Sequence, residues 1–288
     1  MIKTICVAGA GTMGSGIAMV AAQSGFKTLL FDLNEPVLEK AVTAIKNNIG
    51  HLVDKQKIST QVGENIFNRV QFISDAGNCT ADFFIEAIVE KLEAKIAFFN
   101  QIAAINPPSV IFATNTSSLS VSLIQDGIIH PERVAGMHFF NPAPVMKLVE
   151  VVSGKKTSGA TTQTIYDLCK AMGKTPVLCS DSPGFIVNRI ARHYYLEAMK
   201  IVEGGITTIE NVDALMEASG FKMGPFKLMD LIGMDINFEV SKSIYAALEN
   251  AERFMPSPMQ QGKVLKGELG RKTGRGFYDY GSSNKKIK

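Results

Sequence analysis

The stretch Thr4-Ile5-Cys6-Val7-Ala8-Gly9-Ala10-Gly11-Thr12-Met13-Gly14 decides how the N-terminal part of this chain folds. A short apolar run stops at Gly9, and a helical pattern opens around Met13. Three glycines at this spacing occur by chance in turns, so their surroundings carry the reading. Here they follow a strand, open a helix over residues 13–24 and lead to a second strand, Thr28-Leu29-Leu30-Phe31, closed by Asp32. That context is the one a dinucleotide-binding unit requires. Gly9 makes the tight turn, Gly11 lets backbone approach a pyrophosphate, and Gly14 lets helix and strand pack closely. The phosphates would rest on amides of the loop Gly9, Ala10, Gly11, Thr12, Met13 and Gly14, where the helix dipole favours negative charge. Asp32 can accept both ribose hydroxyls and would repel a 2′-phosphate. No arginine follows in Leu33-Asn34-Glu35, so NAD is expected rather than NADP. The other reading is a bare glycine turn with Asp32 as a helix cap.

Outward from this unit, strands and helices alternate. Helical patterns over residues 35–57 and 60–68 have a polar, charged outer part and read as a projecting hairpin. Apolar runs at 70–72, 83–85, 110–113, 134–137 and 148–152 read as further strands, with helices between most of them. The alternation predicts an α/β fold, a Rossmann-like doubly wound parallel sheet. Near Asp181 the character changes, and Pro183 disfavours helix at the residue before it. Beyond it the periodicity is helical. Phe185, Ile186, Ile190, Tyr194 and Met199 fit one amphipathic helix of about twenty residues, ended by Gly204-Gly205. Further helices are expected at 209–218, 225–231, 235–250 and 258–266. The chain of 288 residues therefore reads as two domains, an NAD-binding one over 1–182 and an all-α one over 183–288 serving substrate and dimerisation. The tail, 282–288, reads as disordered.

Composition excludes several function classes. The chain is 46% hydrophobic and 20% charged, with a net charge of +3, ordinary for a globular protein. The basic runs Lys155-Lys156 and Lys285-Lys286 are short, so no nucleic-acid partner is expected. No apolar run reaches the ~18 residues of a membrane span, and no secretory signal is visible. The cytoplasm is the default location, or an organelle lumen if processing has removed a leader. Cys6, Cys79, Cys169 and Cys179 lack the close spacing of a zinc or redox motif, so reduced, mostly buried thiols and no metal site are expected.

A second constellation lies farther along. His138 ends a strand and precedes the proline-rich turn Asn141-Pro142-Ala143-Pro144, at the carboxyl edge where open α/β sheets bind ligands. Taken alone, a histidine there is more often a structural residue. Glu150 sits in the next strand, and a short turn could bring it to the imidazole. A carboxylate partner fixes the tautomer and stabilises the imidazolium formed when His takes a proton.

With these residues the chain resembles the L-3-hydroxyacyl-CoA dehydrogenases, in particular the bacterial-type 3-hydroxybutyryl-CoA dehydrogenases. The resemblance covers nearly the whole chain. It rests on Gly9 to Gly14, Ala87-Ile88-Val89-Glu90, Asn115-Thr116-Ser117-Ser118-Leu119 and His138-Phe139-Phe140-Asn141-Pro142. It continues in Asp181-Ser182-Pro183-Gly184-Phe185 with Asn188-Arg189, and in Thr273-Gly274-Arg275-Gly276-Phe277-Tyr278. It implies that His138 is the base taking the hydroxyl proton and Glu150 its orienting partner. Ser117 would contact the substrate oxygen and the cofactor; its other reading is an N-cap for a helix near Leu119. Asn188 would help hold charge on the reacting group, or else be a helix-surface polar residue. Glu90 and Lys95 would meet the nicotinamide-side ribose, or form a helix-surface ion pair. Asn141 would be a further cofactor contact. Lys272 would lie near the cofactor, or be a solvated lysine. Lys55 and Lys57 on the hairpin would meet the phosphates of an acyl-CoA. The resemblance also implies a homodimer through the helical domain, which is rich in apolar residues.

Three competing readings stay in view, the nearest being a related dehydrogenase that acts on another hydroxyacyl-CoA or a sugar acid. The β-hydroxyacid dehydrogenases, which act on free acids, use a lysine four residues before an asparagine, but Gly184 holds that position before Asn188. A non-catalytic NAD-binding protein would have no use for His138, Glu150, Ser117 and Asn188 together.

Overall fold

Ile5 and Val7 of β1 (Thr4–Ala8) enter one hydrophobic core while Cys6 and Ala8 enter another. A strand with no wet face belongs inside a sheet covered on both sides. The computed structural model, which describes residues 2–281, has it there. The elements that follow are α1 (Thr12–Gln23), β2 (Lys27–Phe31), α2 (Glu35–Asp54), α3 (Thr60–Asn68), β3 (Val70–Ile73), β4 (Phe83–Glu86), α4 (Leu92–Ile105), β5 (Ile111–Thr114), α5 (Val121–Asp126), β6 (Val134–Phe139), β7 (Leu148–Ser153), α6 (Gly159–Ala171) and β8 (Thr175–Ser180). The tail 282–288 lies outside the described residues.

The sheet has eight strands in the order β3-β2-β1-β4-β5-β6-β7-β8. The six strands β1 to β6 pair in parallel, as expected of a doubly wound sheet. The chain runs outward one way from β1 and then the other way from β4. The carboxyl ends of β1 and β4 therefore flank the switch point at which such sheets bind ligands.

Two features depart from the all-parallel expectation. β7 turns back antiparallel on β6, and β8 then pairs parallel with β7. A short turn cannot join parallel neighbours, so the link between Phe139 and Leu148 enforces the reversal. β8 itself was not expected. It is an edge strand, largely exposed, and carries Pro176, which an edge tolerates and a central strand does not. The hairpin reading of α2 and α3 fits: Leu38, Ala41, Ile45 and Ile49 form the buried stripe of α2, while its outer end is exposed.

The chain divides between Ser182 and Pro183 into two compact units. The second holds α7 (Val187–Glu203), α8 (Ile209–Ala218), α9 (Pro225–Ile232), α10 (Met234–Ala247) and α11 (Pro258–Leu265). α7 starts later than the periodicity suggests, because Gly184 and Phe185 both take positive φ, 73° and 47°, which no right-handed helix admits. Two buried aspartates tie this unit together. Asp213 accepts from the amides of Phe226 and Lys227 and from the Tyr278 hydroxyl at 2.8 Å. Asp230 accepts from the amides of Phe277 and Tyr278 and from the Tyr280 hydroxyl. A Cβ on Gly276 would collide with the Asp230 carboxylate. The run from Thr273 to Tyr278 is thus a structural clasp that holds the last described segment to α8 and α9.

Candidate active site

Strand alternation builds one polar patch from apolar strands. Phe84, Phe112 and Val134 lie in the core on one face of the sheet. Two residues on from Phe84 and Phe112, Glu86 and Thr114 share that face, and they are paired in register. His138, four residues beyond Val134, shares it too and is paired with Glu150 across the β6–β7 hairpin. Polar side chains from the ends of β4, β5 and β6 therefore gather on one face.

The glycine loop fits a pyrophosphate glycine by glycine. A Cβ on Gly9 would collide with the Ala87 carbonyl, and one on Gly14 with the Gly9 carbonyl. Gly9 also takes φ 94°. Around Gly11, by contrast, a Cβ would meet nothing within 4 Å, so its backbone is open to approach. Asp32 is not a helix cap: the residue at the N-cap position of α2 is Asn34. Its Oδ2 accepts from the Ala10 amide at 2.8 Å and its Oδ1 from the Asn34 amide at 2.9 Å. These bonds fix the carboxylate beside the glycine loop. The residues present therefore fit an NAD molecule.

Glu90 and Lys95 do form an ion pair, at 3.0 Å, but not on a helix surface. Lys95 is 1% exposed and also meets Glu86 at 2.6 Å. Glu90 precedes α4 and gathers the turn after β5. Its Oε1 accepts from the Thr116 hydroxyl, the Ser117 amide at 3.2 Å, and the Ser118 hydroxyl at 3.0 Å. Burial opposes the Glu90 charge, but Lys95 and these donors outweigh it and hold the carboxyl below its usual range. Ser117 is half-buried in this turn and caps nothing. The cap of α5 is Ser120, which accepts from the Leu123 amide. Ser120 in turn donates to Asp181 at 2.6 Å.

His138 Nδ1 and Glu150 Oε2 lie 2.7 Å apart. The residues are 5% and 1% exposed, so water does not compete for the bond. The Phe140 ring packs on the imidazole at 4.6 Å between centroids. The turn carrying Asn141, itself exposed, is pinned by a residue that sequence reasoning passed over. The Lys174 ammonium donates to the carbonyls of Ala143 at 2.6 Å and Met146 at 2.9 Å. Asn115, quoted in its motif but given no role there, accepts at Oδ1 from the Phe139 amide at 2.8 Å and so fastens the end of β5 to the end of β6.

Comparison with known proteins decides the family. Residues 4–182 match the family model described as 3-hydroxyacyl-CoA dehydrogenase, NAD binding domain. Residues 184–280 match 3-hydroxyacyl-CoA dehydrogenase, C-terminal domain. The chain belongs to the 3-hydroxyacyl-CoA dehydrogenase family. It is 45% identical to the 3-hydroxyadipyl-CoA dehydrogenase of Escherichia coli over 97% of its own length and 59% of that protein's. It is 40% identical to a probable 3-hydroxybutyryl-CoA dehydrogenase of Bacillus subtilis, covering 97% of this chain and 98% of that one. A crystal structure of (S)-3-hydroxybutyryl-CoA dehydrogenase from Ralstonia eutropha superimposes with a TM-score of 0.92 at 34% identity, over 97% of this chain and 99% of that one. The chain thus spans little more than half of the Escherichia coli relative and nearly all of the other two. NAD is the cofactor of this family of enzymes.

The other expected residues are carried by other elements. Lys55 and Lys57 are exposed where α2 ends and the chain turns to α3. Asn188 is half-buried in the first turn of α7, and its carbonyl accepts from Arg192. Lys272 is an exposed lysine that pairs with a carboxylate. Its ammonium lies 2.6 Å from an Asp235 carboxylate oxygen at the start of α10. Cys6, Cys79 and Cys169 are buried and Cys179 partly so, all as free thiols. Among the described residues no group of three His, Cys, Asp or Glu is placed to hold a metal ion, and no helix is long and apolar enough to cross a membrane.

Proposed function

We propose that this chain interconverts L-3-hydroxyacyl-CoA and 3-oxoacyl-CoA, with His138 and Glu150 as the acid/base pair. The observation that carries the reading is the buried 2.7 Å bond between His138 Nδ1 and Glu150 Oε2. When bound, NAD supplies the acceptor or donor of the hydride. The protein supplies the rest. Glu150 accepts from Nδ1–H, which leaves Nε2 as the basic nitrogen that takes the substrate hydroxyl proton. As imidazolium forms, the carboxylate stabilises its charge without being protonated itself. In reverse, the protonated ring returns the proton to the ketone oxygen. Ser117 donates to the reacting oxygen, a preorganised dipole where charge develops. Asn188 is a second such donor. Glu90, Lys95, Asn141 and Lys272 serve the cofactor, and Lys55 and Lys57 the phosphates of coenzyme A.

The substrate is an acyl-CoA, with 3-hydroxybutyryl-CoA as the first choice. The bacterial relatives are named for hydroxybutyryl and hydroxyadipyl groups, so the acyl chain is the part a substrate series must decide. We further infer a cytoplasmic homodimer. Mixing the purified protein with acetoacetyl-CoA and NADH tests the core of the reading. Loss of NADH absorbance is expected, with NADPH much slower. No turnover would overturn the acyl-CoA assignment, and equal rates with NADPH the role given to Asp32.

A further inference from the structure

Glu86 ends β4 with its side chain 0% exposed, a costly place for a carboxylate unless its oxygens are engaged. They are. Oε1 accepts from the Lys95 ammonium at 2.6 Å and the Ile88 amide at 2.8 Å, and Oε2 from the Thr114 hydroxyl at 2.7 Å. Burial pushes the Glu86 carboxyl up and Lys95 pulls against it.

Two arms lead from this carboxylate to one turn. Along the first, Lys95 passes on to Glu90, whose other oxygen gathers Thr116, Ser117 and Ser118. Along the second, the Thr114 hydroxyl donates to Glu86 and accepts from the Thr116 amide at 3.3 Å. The Asn115 amide also donates to the main-chain carbonyl of Glu86, at 2.7 Å. A glutamine at 86 would keep the shape but offer one acceptor oxygen where three donors converge.

We propose that Glu86 is a positioning residue for the reaction: through Lys95 and Glu90 on one side and Thr114 on the other, it fixes the 116–118 turn and with it the Ser117 hydroxyl. This rests on the reading of Ser117 as a substrate contact. At 0% exposure, Glu86 is taken to act through its neighbours and not by contact with the reacting groups. Its effect on rate therefore passes through Ser117, which a merely stabilising residue would not require.

The test is a double-mutant cycle of Glu86→Gln and Ser117→Ala, read as kcat, alongside amide hydrogen exchange in the 116–118 turn. Glu86→Gln alone is expected to lower kcat about tenfold and to speed exchange at 116–118 while β1 amides keep their rates. In the Ser117→Ala background the same change is expected to cost less than about twofold. An equal fold loss in both backgrounds overturns the proposal, as does an unchanged kcat with unchanged exchange. Should Glu86→Gln not fold, Thr114→Val cuts one arm at nearly constant volume. Its expected loss is roughly threefold, again absent without Ser117, and an equal loss in both backgrounds overturns the proposal. If Ser117→Ala alone leaves kcat intact, the substrate role of Ser117 falls. Exchange at 116–118 then decides Glu86 by itself: faster exchange supports its hold on the turn, and unchanged exchange overturns it.

Discussion

Glu90 answers two opposed demands. Its surroundings penalise charge, yet Lys95 and the turn donors keep it ionised and its pKa below the ordinary 4.5. A carboxyl with a depressed folded pKa adds stability that is fully present above the unfolded value. That stability is lost as pH falls through the folded one. Folding stability, followed by denaturant titration from about pH 6 to about pH 3, should therefore fall more steeply for the native protein than for Glu90→Gln. Parallel curves would contradict the ion-pair account. The neighbouring lysine shows what sequence can and cannot reveal about a residue. The spacing of Glu90 and Lys95 announces a pair. Only the fold reveals that Lys95 is enclosed, because a helical repeat does not say which face meets the sheet. Ser117 taught the same lesson: several serines follow β5, and it is Ser120 that caps the helix.

At the scale of elements, the tight turn at Gly9 and the close packing at Gly14 were legible, since each answers a local steric requirement. The loop also separates fold from function. Gly14→Ala drives a methyl into the Gly9 carbonyl and should cost about 1–3 kcal/mol of stability. Gly11→Ala meets no protein atom within 4 Å, so its melting temperature should stay near that of the native chain while NADH binding weakens about tenfold. Calorimetry and NADH fluorescence titration check both. A Gly11→Ala protein that bound NADH normally would remove the phosphates from this loop. Less was legible at the far side of the sheet. β8 carries only the short apolar run Val177-Leu178-Cys179 directly after Pro176, and a proline argues against a strand unless it lies at an edge. The antiparallel return of β7 followed from the short turn, yet the run of parallel strands before it hid the reversal. Lys174 gave no signal in the sequence at all. Its partners are carbonyls of a loop distant in the chain, which no side-chain pattern marks.

At the scale of the whole molecule, the boundary near Pro183 and the change from alternating to helical texture were visible in composition. The helical unit leaves large apolar side chains in water: Leu265, Ile206 and Leu215 are 79%, 76% and 67% exposed. Apolar surface left on a small unit favours a partner, and a second copy of this chain is the partner proposed. Light scattering should give twice the 31.2 kDa of one chain; a monomer mass would refute the dimer. The clasp of Asp213 and Asp230 gives the glycine-rich motif near the end of the described chain a structural reason: Gly276 is there because the Asp230 carboxylate occupies the space of its missing side chain.

The central claim is that His138, held by Glu150, moves the proton. It is tested most directly by comparing kcat with NADH affinity in His138→Ala. The account predicts a fall in kcat of about 10²–10⁴-fold with the NADH dissociation constant within about twofold of the native value. A cofactor affinity that fell as far as the rate would make His138 a structural residue and would contradict the account.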